Sequence, residues 1–179
     1  IRSPIFICVL ASTKSRRVIR ATVYCNVPTS PFDNWELTLS ETIHTSTAPA
    51  PVGAYPHARR VGDLLFLSGV GPRKPGSNEI PGNVYDSNGV LIAYDIEAQC
   101  HQVFANVRSV LEASGAYWDD LIDVTVFLTD MQRDFATYNR LYTEYFSSAQ
   151  PCRTTLGISA LPTPIAIELK CIAAVRDRS

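Results

Sequence analysis

The sequence predicts an α+β sandwich, with two helices packed on one face of a β-sheet. Two segments with helical periodicity, two hairpin-like pairs of strands, and one alternating strand between the helices carry that prediction. From Asp95 to Ser114, the residues Ile96, Cys100, Val103, Phe104, Val107, Val110 and Leu111 recur mostly at spacings of three and four. That is the period of one helix face. Asp95 suits the N-cap and Gly115 the C-terminal stop. Met131 to Phe146 forms the second helix. Its Phe135, Tyr138, Tyr142, Tyr145 and Phe146 make an aromatic stripe, read as core packing.

The strands follow from alternation and turn chemistry. Ala58 to Val61 and Leu64 to Ser68 flank Gly62-Asp63 and read as a β-hairpin. The segment Gly71 to Gly89 is rich in Gly, Pro, Asn and Asp and reads as a long loop, of the kind that often carries function. Leu121 to Thr129 alternates, with Ile122, Val124, Val126 and Leu128 expected on one face. Arg153 to Ala160 and Ile165 to Val175 close the chain, separated by Leu161-Pro162-Thr163-Pro164. In the last strand Ile165, Ile167, Leu169 and Cys171 point one way, and Ala166, Glu168 and Lys170 the other. The order is β-β-(β)-α-β-α-β-β, the bracketed strand being optional.

Bulk composition narrows the function classes. A chain of 179 residues sets one domain with a modest appendage as the default. With 46% hydrophobic and 18% charged residues it can bury a core. A net charge of −1 gives no global electrostatic case for nucleic acid. No apolar run is long enough to suggest a bilayer span. The five cysteines form no zinc-like cluster with the three histidines and read as reduced thiols in an intracellular protein. The zinc-deaminase pattern, the P-loop, GxGxxG, GxSxG and HExxH are all absent. Residues 1–47 are basic, contain Ser and Thr, and have no acid before Asp33. They are set apart as an extension, either an uninformative tail or an organellar transit peptide. The domain is expected over 48–179, with a cytoplasmic location, or a mitochondrial one if the extension is a transit peptide.

Arg153 and Glu168 are the main candidates for chemistry. Arg153 begins a strand after a proline corner, and its planar guanidinium could hold a carboxylate in a bidentate fork. A solvated edge charge is the simpler alternative. Glu168 interrupts an apolar strand between Ile167 and Leu169. If the last two strands form a hairpin centred between Ala160 and Leu161, the two side chains lie opposite each other and share a face. They then form either one site or a structural ion pair. Ser68 and Gly69 end a strand where a hydroxyl or amide could line a cleft. Tyr55-Pro56-His57 is a turn with polar tips, Asn139 lies among helix aromatics, and Arg73-Lys74 lies in the long loop.

These fragments, taken in order, resemble the RidA/YjgF family from about Pro51 to Val175. The resemblance rests on Gly53-Ala54-Tyr55, Val61 to Gly69, Asn106-Val107, Val124 to Leu128, Asp134-Phe135-Ala136 with Tyr138-Asn139, Tyr145-Phe146, Pro151-x-Arg153, Leu161-Pro162 and Ile167-Glu168. Within the family it looks most like the 2-aminomuconate deaminase branch, through Tyr55-Pro56-His57, Arg73-Lys74-Pro75, Asp95-Ile96-x-Ala98-Gln99 and Arg153-Thr154-Thr155. Typical members carry a cysteine where this chain has Thr155. The resemblance implies a chorismate-mutase-like fold, a mixed sheet under two helices, assembled as a homotrimer with clefts between subunits. It implies metal- and cofactor-free hydrolysis of an enamine or imine carboxylate. Arg153 would hold the carboxylate and Glu168 would activate water, while Tyr55, Ser68, Asn139 and Thr155 line the pocket. For 2-aminomuconate the product is a 2-oxo-enoic diacid, and Arg73, Lys74 or His57 would meet its second carboxylate. The competing readings are a general 2-aminoacrylate-type deaminase and a non-enzymatic binding or chaperone-like trimer.

Overall fold

In the computed structural model, which describes residues 40–77 and 79–175, local capping chemistry sets both helices. Helix α1 spans Ile96–Ala113. Asp95 takes an extended conformation before it, and its carboxylate accepts from the Glu97 and Ala98 N–H groups, satisfying donors that no helical carbonyl can reach. Gly115, at φ +71°, ends the run in the left-handed region. Helix α2 spans Met131–Phe146, capped by Asp130 through the Arg133 N–H. The α1 stripe predicted by periodicity is buried, with Cys100, Val103, Phe104, Val107, Val110 and Leu111 at 1% exposure or less. On α2, Tyr138 and Phe146 are buried, whereas Phe135 is exposed.

Six strands form one sheet. They are β1 (Glu41–Ile43), β2 (Ala58–Val61), β3 (Leu64–Leu67), β6 (Leu121–Leu128), β7 (Cys152–Gly157) and β8 (Ile167–Ala174), in the spatial order β1-β2-β3-β8-β6-β7. A separate pair, β4 (Val84–Tyr85) and β5 (Leu91–Ala93), fills the optional strand position at the end of the long loop. The β2–β3 hairpin closes with Val61 opposite Leu64 as predicted. Strand β1 pairs with β2, so the sheet begins upstream of the Ala48 start read from composition. Residues 1–39, which hold most of the basic extension, lie outside the described residues.

Two expectations are corrected. The closing strands do not form a hairpin. Strand β6 lies between them, antiparallel to β8 and parallel to β7. A parallel pair needs a crossover, and α2 supplies it. The second correction concerns Ile122. Leu121 pairs with Ala173 and Asp123 with Ile172, which leaves Ile122 unpaired in a bulge. The extra residue reverses the alternation. Leu121 is therefore buried at 2% exposure and Ile122 is 40% exposed.

Both helices cover one sheet face, against Leu65, Leu67, Val124, Val126, Leu128, Ile167, Leu169 and Cys171. The opposite face keeps Val61, Leu64, Phe66 and Leu156 exposed. Inside the core, Gln99 is fully buried. Its Oε1 accepts from the Ala166 N–H at 2.8 Å, and its Nε2 donates to Asn83 Oδ1 at 2.8 Å. Asn83 in turn donates to the Pro164 carbonyl. One helix side chain thus fixes the 161–166 turn. Gln99→Leu keeps the volume but orphans both partners, so it should lower unfolding free energy by roughly 1–3 kcal/mol. Urea unfolding of the variant beside the native chain measures this.

Candidate active site

The parity of the sheet divides the candidate residues into two groups. On the open face, β3 and β8 pair through Phe66 and Ile172, then meet again at Val70 and Leu169. Leu67, Ser68 and Gly69 therefore span the same length as Lys170 and Cys171. The surplus residue opens the ladder, as bulges beside functional sites do. A cavity of about 350 Å³ lies there, lined by Tyr55, Ser68, Gly69, Arg73, Glu168 and Lys170 among others.

Each wall of that cavity is held from behind. Ser68 Oγ donates to the Pro56 carbonyl at 2.6 Å, tying the Tyr55 turn to the end of β3. The buried Asn106 side chain donates to the Gly71 and Arg73 carbonyls, both at 2.8 Å, and so places the Arg73 loop. Arg73 Nη2 donates to the Ala50 carbonyl at 2.6 Å. Tyr55 is 40% exposed, and its hydroxyl accepts from the Val52 N–H. Gly69 allows the closest approach. A Cβ there would stand 2.5 Å from Glu168 Oε1, so only glycine leaves room for the carboxyl as placed.

Glu168 is half-buried, and no hydrogen bond or ion pair to it is present among the described residues. Burial raises its pKa above the ordinary glutamate value. A carboxyl whose burial favours the neutral form takes up a proton more readily than an exposed one, which suits it to proton transfer.

The second group lies on the helix face. Arg153 sits beside Val124 in the β6–β7 register. Its Nη1 donates to Asn139 Oδ1 at 2.9 Å, and its guanidinium lies 4.6 Å from the Tyr142 ring centroid and 5.8 Å from that of Tyr138. Cation–π contact and the amide bond hold the fork flat and outward. Thr155, two residues on, shares this face. The hydroxyls of Thr155, Tyr138 and Tyr142 are buried with no hydrogen-bond partner. Burial pushes the Tyr142 hydroxyl up to about 12 against the Arg153 charge, which keeps it a donor.

Arg153 and Glu168 therefore lie on opposite faces of one sheet, with β6 between their strands. Within a single chain they form neither an ion pair nor a shared site. His57 has both ring nitrogens engaged. Its Nδ1 accepts from the Thr45 N–H and its Nε2 donates to the Pro49 carbonyl. It clamps the entry loop at the back of the recess that Tyr55 and Arg73 also line. Lys74 is paired with Glu79. Gly69 lines the cavity beside Ser68, at the strand end where the sequence suggests a cleft. Lys170 is a lining residue that the sequence analysis does not assign, although strand alternation puts it on the face of Glu168. Among the described residues, no group of three or more His, Cys, Asp or Glu side chains could hold a metal ion, and no helix is long and apolar enough to cross a membrane.

Comparison with known proteins gives a consistent answer. The family model described as Endoribonuclease L-PSP matches residues 45–175. A RutC family protein of Pyrococcus horikoshii is 38% identical over 135 residues, 75% of this chain and 98% of the relative. The chloroplastic Reactive Intermediate Deaminase A of Arabidopsis thaliana is 36% identical over 135 residues, 75% of this chain and 66% of the relative. The crystal structure of E. coli TdcF with bound serine matches with a TM-score of 0.65 at 31% identity, covering 76% of this chain and 99% of that one.

The raised Glu168 pKa makes a stability prediction. The folded chain binds this proton more tightly than the unfolded chain. Ionising Glu168 therefore costs stability above its folded-state pKa, and the cost vanishes below the ordinary carboxylate range. Glu168→Gln should raise the thermal midpoint relative to the native protein at about pH 8 and leave the two equal at about pH 4. Thermal scans at both pH values check it.

Proposed function

This chain belongs to the Endoribonuclease L-PSP family, the family of RidA and YjgF, and from that premise we propose that it hydrolyses enamine or imine carboxylates to carbonyl compounds and ammonia. The observation that carries the reading is Glu168, half-buried without a partner on the wall of a cavity. The deaminase name of the Arabidopsis relative and the serine bound in TdcF, an amino acid with a carboxylate, support it.

The reaction follows from the groups available. The enamine tautomerises to an imine, and protonation of nitrogen makes its carbon electrophilic. Glu168 accepts a proton from water as the water oxygen bonds to that carbon. That proton passes to the amine nitrogen, the new hydroxyl gives its proton to Glu168 as the C–N bond breaks, ammonia leaves, and the carbonyl remains. No cofactor or metal is needed, because hydrolysis of a protonated imine has a low intrinsic barrier. Arg153 holds the substrate carboxylate, and orientation is its contribution.

Because the two residues occupy opposite faces of one chain, the working site is composite. Arg153, Asn139 and Thr155 come from one copy, and Glu168, Ser68 and Tyr55 from its neighbour. A homotrimer, a closed ring of identical contacts, provides such sites. The exposed apolar side chains Val61, Leu64, Phe66 and Leu156 on the open sheet face give the copies a surface to bury. The substrate we favour is 2-aminomuconate, giving a 2-oxo-enoic diacid. Arg73 at the cavity wall suits a second carboxylate. A cytoplasmic location accords with Cys100, Cys152 and Cys171 being free thiols.

Ammonia release from enzymatically generated 2-aminomuconate and 2-aminoacrylate tests the reading. Glu168→Gln should lower kcat by about 10²–10⁴-fold, and Arg153→Ala by about 10²-fold or more. Unfolding and reassembling the two inactive variants together should restore about a quarter of native activity, because a random ring unites an intact Arg153 with an intact Glu168 at that share of its clefts. Persistent inactivity of the mixture, with each variant folded, would rule out the composite site. Native turnover in Arg153→Ala would remove Arg153 from the reaction, and no ammonia release by the native chain from either substrate would instead favour a binding protein.

A further inference from the structure

We propose that Lys170, together with Arg73, forms a subsite for a second carboxylate and makes this chain selective for six-carbon dicarboxylates over monocarboxylates of the same length. The inference rests on the reading of the Glu168 cavity as the reaction site. It assigns a role to a residue that the general chemistry of imine hydrolysis does not use.

Glu168 and Lys170 alternate with the buried Leu169, so both point to the open face of β8 and both line the cavity. Two residues along a strand separate their backbones by about 7 Å. The Lys170 ammonium is fixed by one bond, from Nζ to the Leu67 carbonyl at 3.1 Å, where the β3–β8 ladder opens. That leaves two N–H donors on a positioned cation. No carboxylate among the described residues forms an ion pair with it. Glu168 is its neighbour on the face but lies beyond pairing distance, and its carboxyl turns to Gly69. Lys74, by contrast, is neutralised by Glu79, and both His57 nitrogens serve the entry loop. Arg73 enters the same cavity from the loop that Asn106 anchors.

The cavity therefore places the Lys170 ammonium, which forms no ion pair among the described residues, near a carboxyl whose burial favours the neutral form. Such a lining attracts an anionic group beyond the one that Arg153 holds. In a six-carbon substrate four bonds separate the reacting carbon from the distal carboxylate carbon, a span of about 5 Å when extended. With the reacting carbon beside Glu168, a substrate running along β8 would carry its distal carboxylate toward Lys170, on the wall of the same cavity. A methyl group in its place would leave that head without a partner, in the asymmetric way that built polar sites reject apolar analogues.

The test uses the full chain and two stable probes, 2-oxoadipate and 2-oxohexanoate, which differ only in a terminal carboxylate against a methyl. Isothermal titration at low salt should show the native protein binding 2-oxoadipate at least about tenfold more tightly. Lys170→Met should bring that ratio near one, Lys170→Glu below one, and Lys170→Arg should keep it. Binding of 2-oxohexanoate by each variant reports that the cavity is formed. A native ratio near one, or an equal loss for both probes in Lys170→Met, overturns the proposal. The deaminase reading fails separately. Turnover of 2-aminoacrylate without a Lys170-dependent ratio keeps the deaminase and sinks the subsite. A Lys170-dependent ratio without turnover of any imine does the reverse.

Discussion

Strand β6 lies between β7 and β8, and the rest of the molecule is arranged around that insertion. Its inward residues Val124, Val126 and Leu128 are fully buried and supply the middle of the core. Its register then dictates where every side chain of the neighbouring strands can go. Because Val124 aligns with both Arg153 and Cys171, Arg153 must share the helix face with a core cysteine. Because Phe127 aligns with Glu168, that carboxyl must face away from the helices. Side-chain parity in a sheet has a period of two, so neither residue can change face without shifting a whole strand. The Arg153 guanidinium and the Glu168 carboxyl are thus kept apart in one chain. The composite site proposed above follows from that separation.

The cavity itself is a local relaxation of sheet regularity, stabilised from the core. An extra residue between Phe66 and Val70 separates the β3 and β8 backbones, and Gly69 gives the Glu168 carboxyl the space a side chain would take. Buried amides do the holding. Gln99 and Asn83 secure the 161–166 turn, and Asn106 secures the Arg73 loop. These groups are satisfied on the protein side, so they stiffen the walls at little cost. Glu168 is left without a partner, and its burial opposes ionisation. Stability is given up there, and the proton transfer proposed for this carboxyl would draw on it.

The helices were legible in the sequence because their determinants are local. The Asp95 cap, the Gly115 stop and the three-and-four spacing of α1 all act within one turn of the residues concerned. The β2–β3 hairpin is also local, since two residues connect its strands. The alternation in β8 correctly separates Ile167, Leu169 and Cys171 from Glu168 and Lys170. Ile122 escaped the same logic because a bulge is a property of two paired strands, and its signature is absent from either one alone. The family was legible from the order of short fragments, and the match over residues 45–175 agrees with that reading.

What local chemistry could not specify was which strands become neighbours. Arg153 and Glu168 are the right residue types for a carboxylate fork and a proton carrier, and periodicity places each on a strand. A direct hairpin would have set them face to face, and the short 161–166 turn is compatible with one. The parallel β6–α2–β7 crossover leaves β7 at the sheet edge and gives β8 a different partner on each side. That choice is made by burial summed over the whole sheet, since β6 and β8 are the two strands with the most continuous apolar inward faces and gain most by pairing centrally. The amino acids determine the chemical groups and their spacing along each element. Only long-range packing of the core decides which of those groups can meet.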